Sequence, residues 1–113
     1  MVAVFFDPLR SVAAGGIGAT YATLGTAFTH RVRILKITNL SDGDVLISFD
    51  GETDNDVVPA GSFVLYDMTT NSPAGAEVDQ LVLAIGTQIY VKDGPTAPAN
   101  GSVYATAVRA RFD

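Results

Sequence analysis

The chain has neither cysteine nor tryptophan. The first absence removes disulfides, thiolate zinc sites and cysteine nucleophiles. The second, with aromatic residues at only 9%, argues against a glycoside-hydrolase cleft, whose walls are aromatic. Histidine occurs once, at His30, so a serine triad has a single candidate base, and no serine stands in a Gly-x-Ser-x-Gly context. With Thr29 and Arg31 beside it, His30 reads as a structural or surface residue. Lysine and arginine are missing from residues 37–91, and no cation cluster is dense enough to neutralise several phosphates, which argues against nucleic acid as a partner. No apolar run approaches the roughly 18 residues of a membrane span. The start, MVAVFFDPLR, carries Asp7 and Pro8 too early for a signal peptide, so the expectation is a chain made in the cytoplasm that is soluble, or soluble until it assembles.

What is present is ample apolar material. With 113 residues, 48% hydrophobic and 17% charged, the chain suits one folded domain. Its net charge of −5 is unevenly spread. Arg10, Arg31, Arg33 and Lys36 precede a middle that carries acidic residues alone, and Lys92, Arg109 and Arg111 follow it.

Periodicity of two runs through most of the chain. Val45, Ile47 and Phe49 alternate with Leu46, Ser48 and Asp50, as a half-buried strand requires. Residues 88–92 and 102–112 alternate similarly, and 62–67 is a further strand candidate. Residues 31–39 alternate and then slip at Leu35, which implies burial on both faces or a bulge. Asp42-Gly43 is a tight-turn pair, so residues 32–39 and 44–50 are expected to pair antiparallel. Val58-Pro59-Ala60-Gly61, Asn71 to Gly75 and Asp93 to Gly101 read as turns or loops. No helix of three turns is expected among these glycines and β-branched residues.

These signals predict an all-β chain, a single β-sandwich of jelly-roll type over residues 31–113. Residues 1–30 are expected to be different: a first strand from Val2 to Phe6, an extended Gly-rich segment through Gly15, Gly16 and Ile17, and a strand around Tyr21. Such a small, apolar segment can lie on a neighbour's surface like an arm, or be an ordinary loop.

Three motifs bear on chemistry. The run Asp50-Gly51-Glu52-Thr53-Asp54-Asn55-Asp56 has the closely spaced carboxylates that hard cations need, but Asn55 and Gly61 stand where the helix-loop-helix calcium pattern has Gly and Glu. A solvated acidic turn is the expectation, with no metal or other cofactor. Gly15-Gly16-Ile17-Gly18 has no following Gly-Lys-Ser or Gly-Lys-Thr and does not read as a phosphate loop. Asn39-Leu40-Ser41 and Asn100-Gly101-Ser102 match the glycosylation acceptor pattern, without consequence in the absence of a secretory signal.

The ITN strand end, ISFDG, the PAG turn before FVLYD, GTQIYVK and GSVYATAV occur in that order over most of the chain. In this order they resemble small virion structural proteins of tailed bacteriophages. The Ala- and Pro-rich stretch Asp93–Asn100 and the loop Ala74–Asp79 depart from that pattern. The resemblance implies a non-enzymatic β-sandwich subunit of the capsid surface or the head-to-tail and tail apparatus, a decoration, cement or connector protein. It would be found in the virion after synthesis in the host bacterium, with major capsid, portal-proximal or tail subunits as partners. It transfers no catalytic residue.

The residues themselves suggest how such a subunit would make contacts. If the basic and acidic parts lie on opposite surfaces, Arg31, Arg33, Arg109 and Arg111 of one copy can meet Asp42, Asp44, Asp54 and Asp56 of the next, giving a homo-oligomer. Arg10, Gly15, Gly16 and Ile17 would add contacts from the N-terminal segment. The alternative is a small carbohydrate- or receptor-binding sandwich using loops 50–61 and 93–101.

Overall fold

Alternation of buried and half-exposed residues along Val32–Asn39 and Ser102–Arg109 makes these two segments the longest strands, and they lie side by side. The computed structural model describes residues 5–68 and 83–109. Among them are strands β1 (Arg10–Ala13), β2 (Ala22–Thr23), β3 (Val32–Asn39), β4 (Val45–Ser48), β5 (Asp56–Val58), β6 (Phe63–Asp67), β7 (Tyr90–Asp93) and β8 (Ser102–Arg109). The helical content of the described residues is one 3-10 turn, Ala14–Gly16. None of the described helical segments is long and apolar enough to cross a membrane.

The strands form two four-stranded antiparallel sheets, in the orders β1-β8-β3-β6 and β2-β7-β4-β5. The chain is therefore all-β. One apolar cluster joins the sheets: Leu35 and Ile37 of β3 and Val103 and Ala105 of β8 from the first, Val45 and Ile47 of β4 and Val91 of β7 from the second. Burial of such side chains stabilises by roughly 1.5–3 kcal/mol each, the dominant favourable contribution to a fold of this size.

The expected slip in β3 is a register shift between Val32 and Ile34 in its pairing with β8. The bulge returns Val32 and Leu35 to the same buried side, which strict alternation would have separated. The expected hairpin between residues 32–39 and 44–50 is overturned. β3 pairs with β6 and β8, whereas β4 pairs with β5 and β7, so Asp42-Gly43 lies on a crossing from one sheet to the other. Gly43 serves close packing rather than a positive φ: a Cβ there would stand 2.4 Å from the Pro98 nitrogen and 2.5 Å from the Thr96 oxygen. Asp44 N–H donates to Thr96 O at 2.7 Å and Gly94 N–H to Asp44 O at 2.8 Å, so the crossing is laced to the Pro-rich loop after β7.

Residues 5–30 are woven into both sheets. β1 pairs with β8, β2 pairs with β7, and Ile17, Leu24 and Phe28 join the buried cluster. Of the expected first strand, residues 2–4 lie outside the described part, while Phe6 bridges to Val108. The loops expected at Asn71–Gly75 and Ala74–Asp79 also lie outside it.

Candidate functional site

Following the chain up and down the first sheet places its arginines toward one end, where Asp7 and Asp67 also lie. β3 rises from Arg31 and Val32 to Asn39, and β8 descends from Ser102 to Arg109 beside it. Arg31, Arg33, Arg109 and His30 thus gather at one end of the first sheet. Leu40, Asp42 and Asp44 lie at the other, roughly 25 Å away by the rise of an eight-residue strand.

At the basic end Asp7 is the anchor. Its N–H donates to Ala107 O at 2.9 Å, holding residues 5–7 beside β8, and its side chain is only 4% exposed. Burying a carboxylate requires paired charge, and Arg10 Nη1 donates to its Oδ2 at 3.2 Å. Arg10 is itself 8% exposed, donates from Nε to Thr26 O at 2.8 Å and stacks 4.4 Å from the Phe28 ring centroid. Arg109 Nε approaches Asp7 Oδ1 to 3.6 Å, and its guanidinium lies over the Phe5 ring.

Arg109 Nη1 lies 2.9 Å from His30 Nε2, a contact that the Nδ1–H tautomer of the ring satisfies. Nδ1–H then faces Thr29 Oγ1 at 3.1 Å. The space above Asp7, Arg10, His30 and Arg109 is a cleft of about 700 Å³, with Phe6 and Leu9 on its walls. Among the described residues two guanidiniums and one carboxylate line it, a positive excess suited to an anionic guest.

At the acidic end the carboxylates hold loops. Asp42 Oδ1 accepts from Ala99 N–H at 2.7 Å and Asn100 N–H at 2.9 Å, and Oδ2 accepts from the Asn100 side chain at 3.1 Å. These bonds, led by the one from the Asn100 backbone, bring its pKa down to about 2. Asp44 accepts from Ala60 N–H at 3.1 Å.

Comparison with protein families, with curated proteins and with solved structures finds no match to this chain.

The acidic run between β4 and β5 is a turn built around Asp50. Its Oδ1 accepts from Thr53 N–H at 2.7 Å and Glu52 N–H at 2.8 Å, and Thr53 Oγ1 donates to Oδ2, which holds the Asp50 carboxyl far below the usual range. Asp54 receives the Tyr21 hydroxyl and pairs with Lys92 at 3.1 Å. Asp56 receives the Tyr66 hydroxyl. Burial first, then these carboxylates, push both phenols above the ordinary tyrosine range. Among the described residues no three acidic, histidine or cysteine side chains converge as metal ligands.

The twelve residues singled out in the sequence are thus dispersed. Arg31, Arg33 and Arg109 share the basic end. Asp42 and Asp44 share the opposite end, Asp54 lies in the turn between β4 and β5, and Asp56 begins β5 of the second sheet. Arg10 and Ile17 face inward, Gly15 and Gly16 are exposed on the 3-10 turn, and Arg111 lies outside the described residues. Sequence reasoning missed Asp7 and Leu40. The signals were an acidic residue three positions before Arg10 in an apolar start, and a large apolar residue on a polar crossing.

Proposed function

We propose that this protein is a non-enzymatic structural subunit of a tailed-phage virion, packing on capsid, head-to-tail or tail proteins and stabilising the assembly through protein contacts. On this reading its two sheets form a jelly-roll sandwich. The support is the pairing β1/β8, β2/β7, β3/β6 and β4/β5, closed by β8/β3 and β7/β4, which is the pattern of one long antiparallel hairpin rolled on itself. That architecture recurs in viral capsid domains and in lectins, so it serves the reading without deciding it.

The observation that carries the functional reading is the clustering of Arg31, Arg33 and Arg109 at the start of β3, beside Asp7 and Asp67, with Asp42 and Asp44 beyond its far end. Cations of one copy facing carboxylates of the next favour ordered contacts between subunits and steer their encounter. The resemblance of the strand-and-turn motifs to virion structural proteins supplies the setting, with synthesis in the host bacterium and residence in the particle.

Sedimentation of the purified chain alone, and with assembled heads or tails of tailed phage, tests this. The expected outcome is salt-sensitive self-association and co-sedimentation with one of these structures. A chain that stays monomeric at high concentration and binds neither assembly sinks the proposal.

A further inference from the structure

Leu40 is 60% exposed at a place where the backbone around it is fully engaged. Its own N–H donates to Ser102 O at 2.9 Å, Ser41 N–H donates to Asn39 Oδ1 at 2.9 Å, and Asp42 N–H donates to Asn100 O at 3.1 Å. The tip is therefore rigid, with one large apolar side chain projecting and the Asp42 carboxylate fixed next to it. An apolar side chain held out on a pre-formed support loses little conformational freedom on binding, which is what makes a good anchor.

The cleft at the other end has complementary features. Leu9 and Phe6 on its walls are 61% and 63% exposed, and among the described residues its charged lining is Arg10 and Arg109 with Asp7. Its volume of about 700 Å³ lies within the range of sites that enclose a few side chains. An apolar knob flanked by a carboxylate matches an apolar-walled, cation-floored cleft in both shape class and charge.

We infer that copies of this chain join head to tail, the Leu40–Asp42 tip of one copy seating in the cleft of the next, with Leu40 against Leu9 and Phe6 and the Asp42 carboxylate toward Arg109. The inference rests on the structural-subunit reading and names its self-contact. Tip and cleft lie at opposite ends of β3, so the contact is between unlike surfaces and each copy keeps one tip or one cleft open until a ring closes. Asp54 and Asp56 take no part, standing in and after the turn at the far end of β4 from the tip.

Leu9→Glu and Leu40→Glu alter exposed side chains on opposite partners of the contact, and thermal unfolding checks that each remains folded. In sedimentation, each variant alone is expected to associate at least tenfold more weakly than the unaltered chain, because both contacts of every copy involve an altered surface. An equimolar mixture regains one good contact and is expected to stop at a one-to-one complex. Independently, because the chain lacks cysteine, Leu9→Cys and Leu40→Cys chains are expected to cross-link with each other on oxidation and not with themselves. The inference is overturned if the unaltered chain is monomeric, if neither glutamate variant weakens association, or if each cysteine variant cross-links only to itself. Association that persists through another surface overturns this contact while leaving the structural-subunit reading intact. Failure to bind both itself and phage assemblies removes that reading as well.

Discussion

Asp42 is exposed, yet its carboxylate organises the loop after β7 through bonds to Ala99 and Asn100. Those bonds form with the ionised group, so the folded state lowers its pKa from 3.8 to about 2. A carboxyl whose folded pKa is depressed contributes stability above its unfolded pKa and loses it as pH falls through the folded one. Asp42→Ala is therefore expected to be less stable than the unaltered chain at neutral pH. The gap should stay constant down to about pH 5 and close between about pH 4 and pH 2. Urea unfolding at a series of pH values, followed by tyrosine fluorescence, checks this. A gap that does not narrow on acidification contradicts the role given to the carboxylate.

At the level of elements, the end of β3 is where the chain leaves one sheet for the other, and Asn39 makes that departure specific. Its side chain is fully buried, with Nδ2 donating to Gly43 O at 2.8 Å and to Val58 O at 2.9 Å. Oδ1 accepts from the Ser41 N–H at 2.9 Å and the Ser41 hydroxyl at 2.6 Å. Since Val58 belongs to β5, one amide ties the two sheets together. Asn39→Ala leaves buried carbonyls and the Ser41 hydroxyl without these partners, at roughly 1–3 kcal/mol per unsatisfied group. A loss of about 2–4 kcal/mol is expected, read as a lower urea midpoint with an unchanged slope. A shift under 1 kcal/mol, on the order of an exposed substitution, contradicts the tie.

The same element shows what sequence could and could not disclose. Alternation identified β3, β4, β6, β7 and β8, because a strand with one buried face writes that face into every second residue. Alternation does not name the neighbouring strand, so local turn chemistry at Asp42-Gly43 suggested a hairpin where the chain crosses between sheets. β1 and β5 are not legible this way: β1 begins with a buried Arg10 that reads as surface, and the three residues of β5 follow an acidic turn, whereas β4 and β7 are as short as β1 but stand in longer alternating runs. The opposed charges were legible as composition. Their arrangement at two ends was not, because it depends on which residues begin and finish β3.

For the whole molecule, the pairing of β1 with β8 decides how residues 5–30 behave. Arg10, Ser11, Val12 and Ala13 oppose Ala105, Tyr104, Val103 and Ser102, so an early segment covers the side of β8 that β3 does not. Removing residues 1–13 takes away this ladder together with Asp7 and Arg10. It leaves the eight-residue β8 as an unprotected edge, with Arg109 and His30 deprived of their carboxylate. Ladder bonds contribute roughly 0.5–1.5 kcal/mol each, so a loss of about 3–5 kcal/mol is expected, a large share of the 5–15 kcal/mol that holds a typical domain. That corresponds to a fall of more than about 10 °C in Tm, and the bare edge should also promote aggregation through strand addition. Calorimetry and sedimentation of the truncated chain distinguish the alternatives. A detached arm would leave Tm unchanged and affect contact with neighbours alone, whereas a strand of the first sheet lowers Tm before any partner is present.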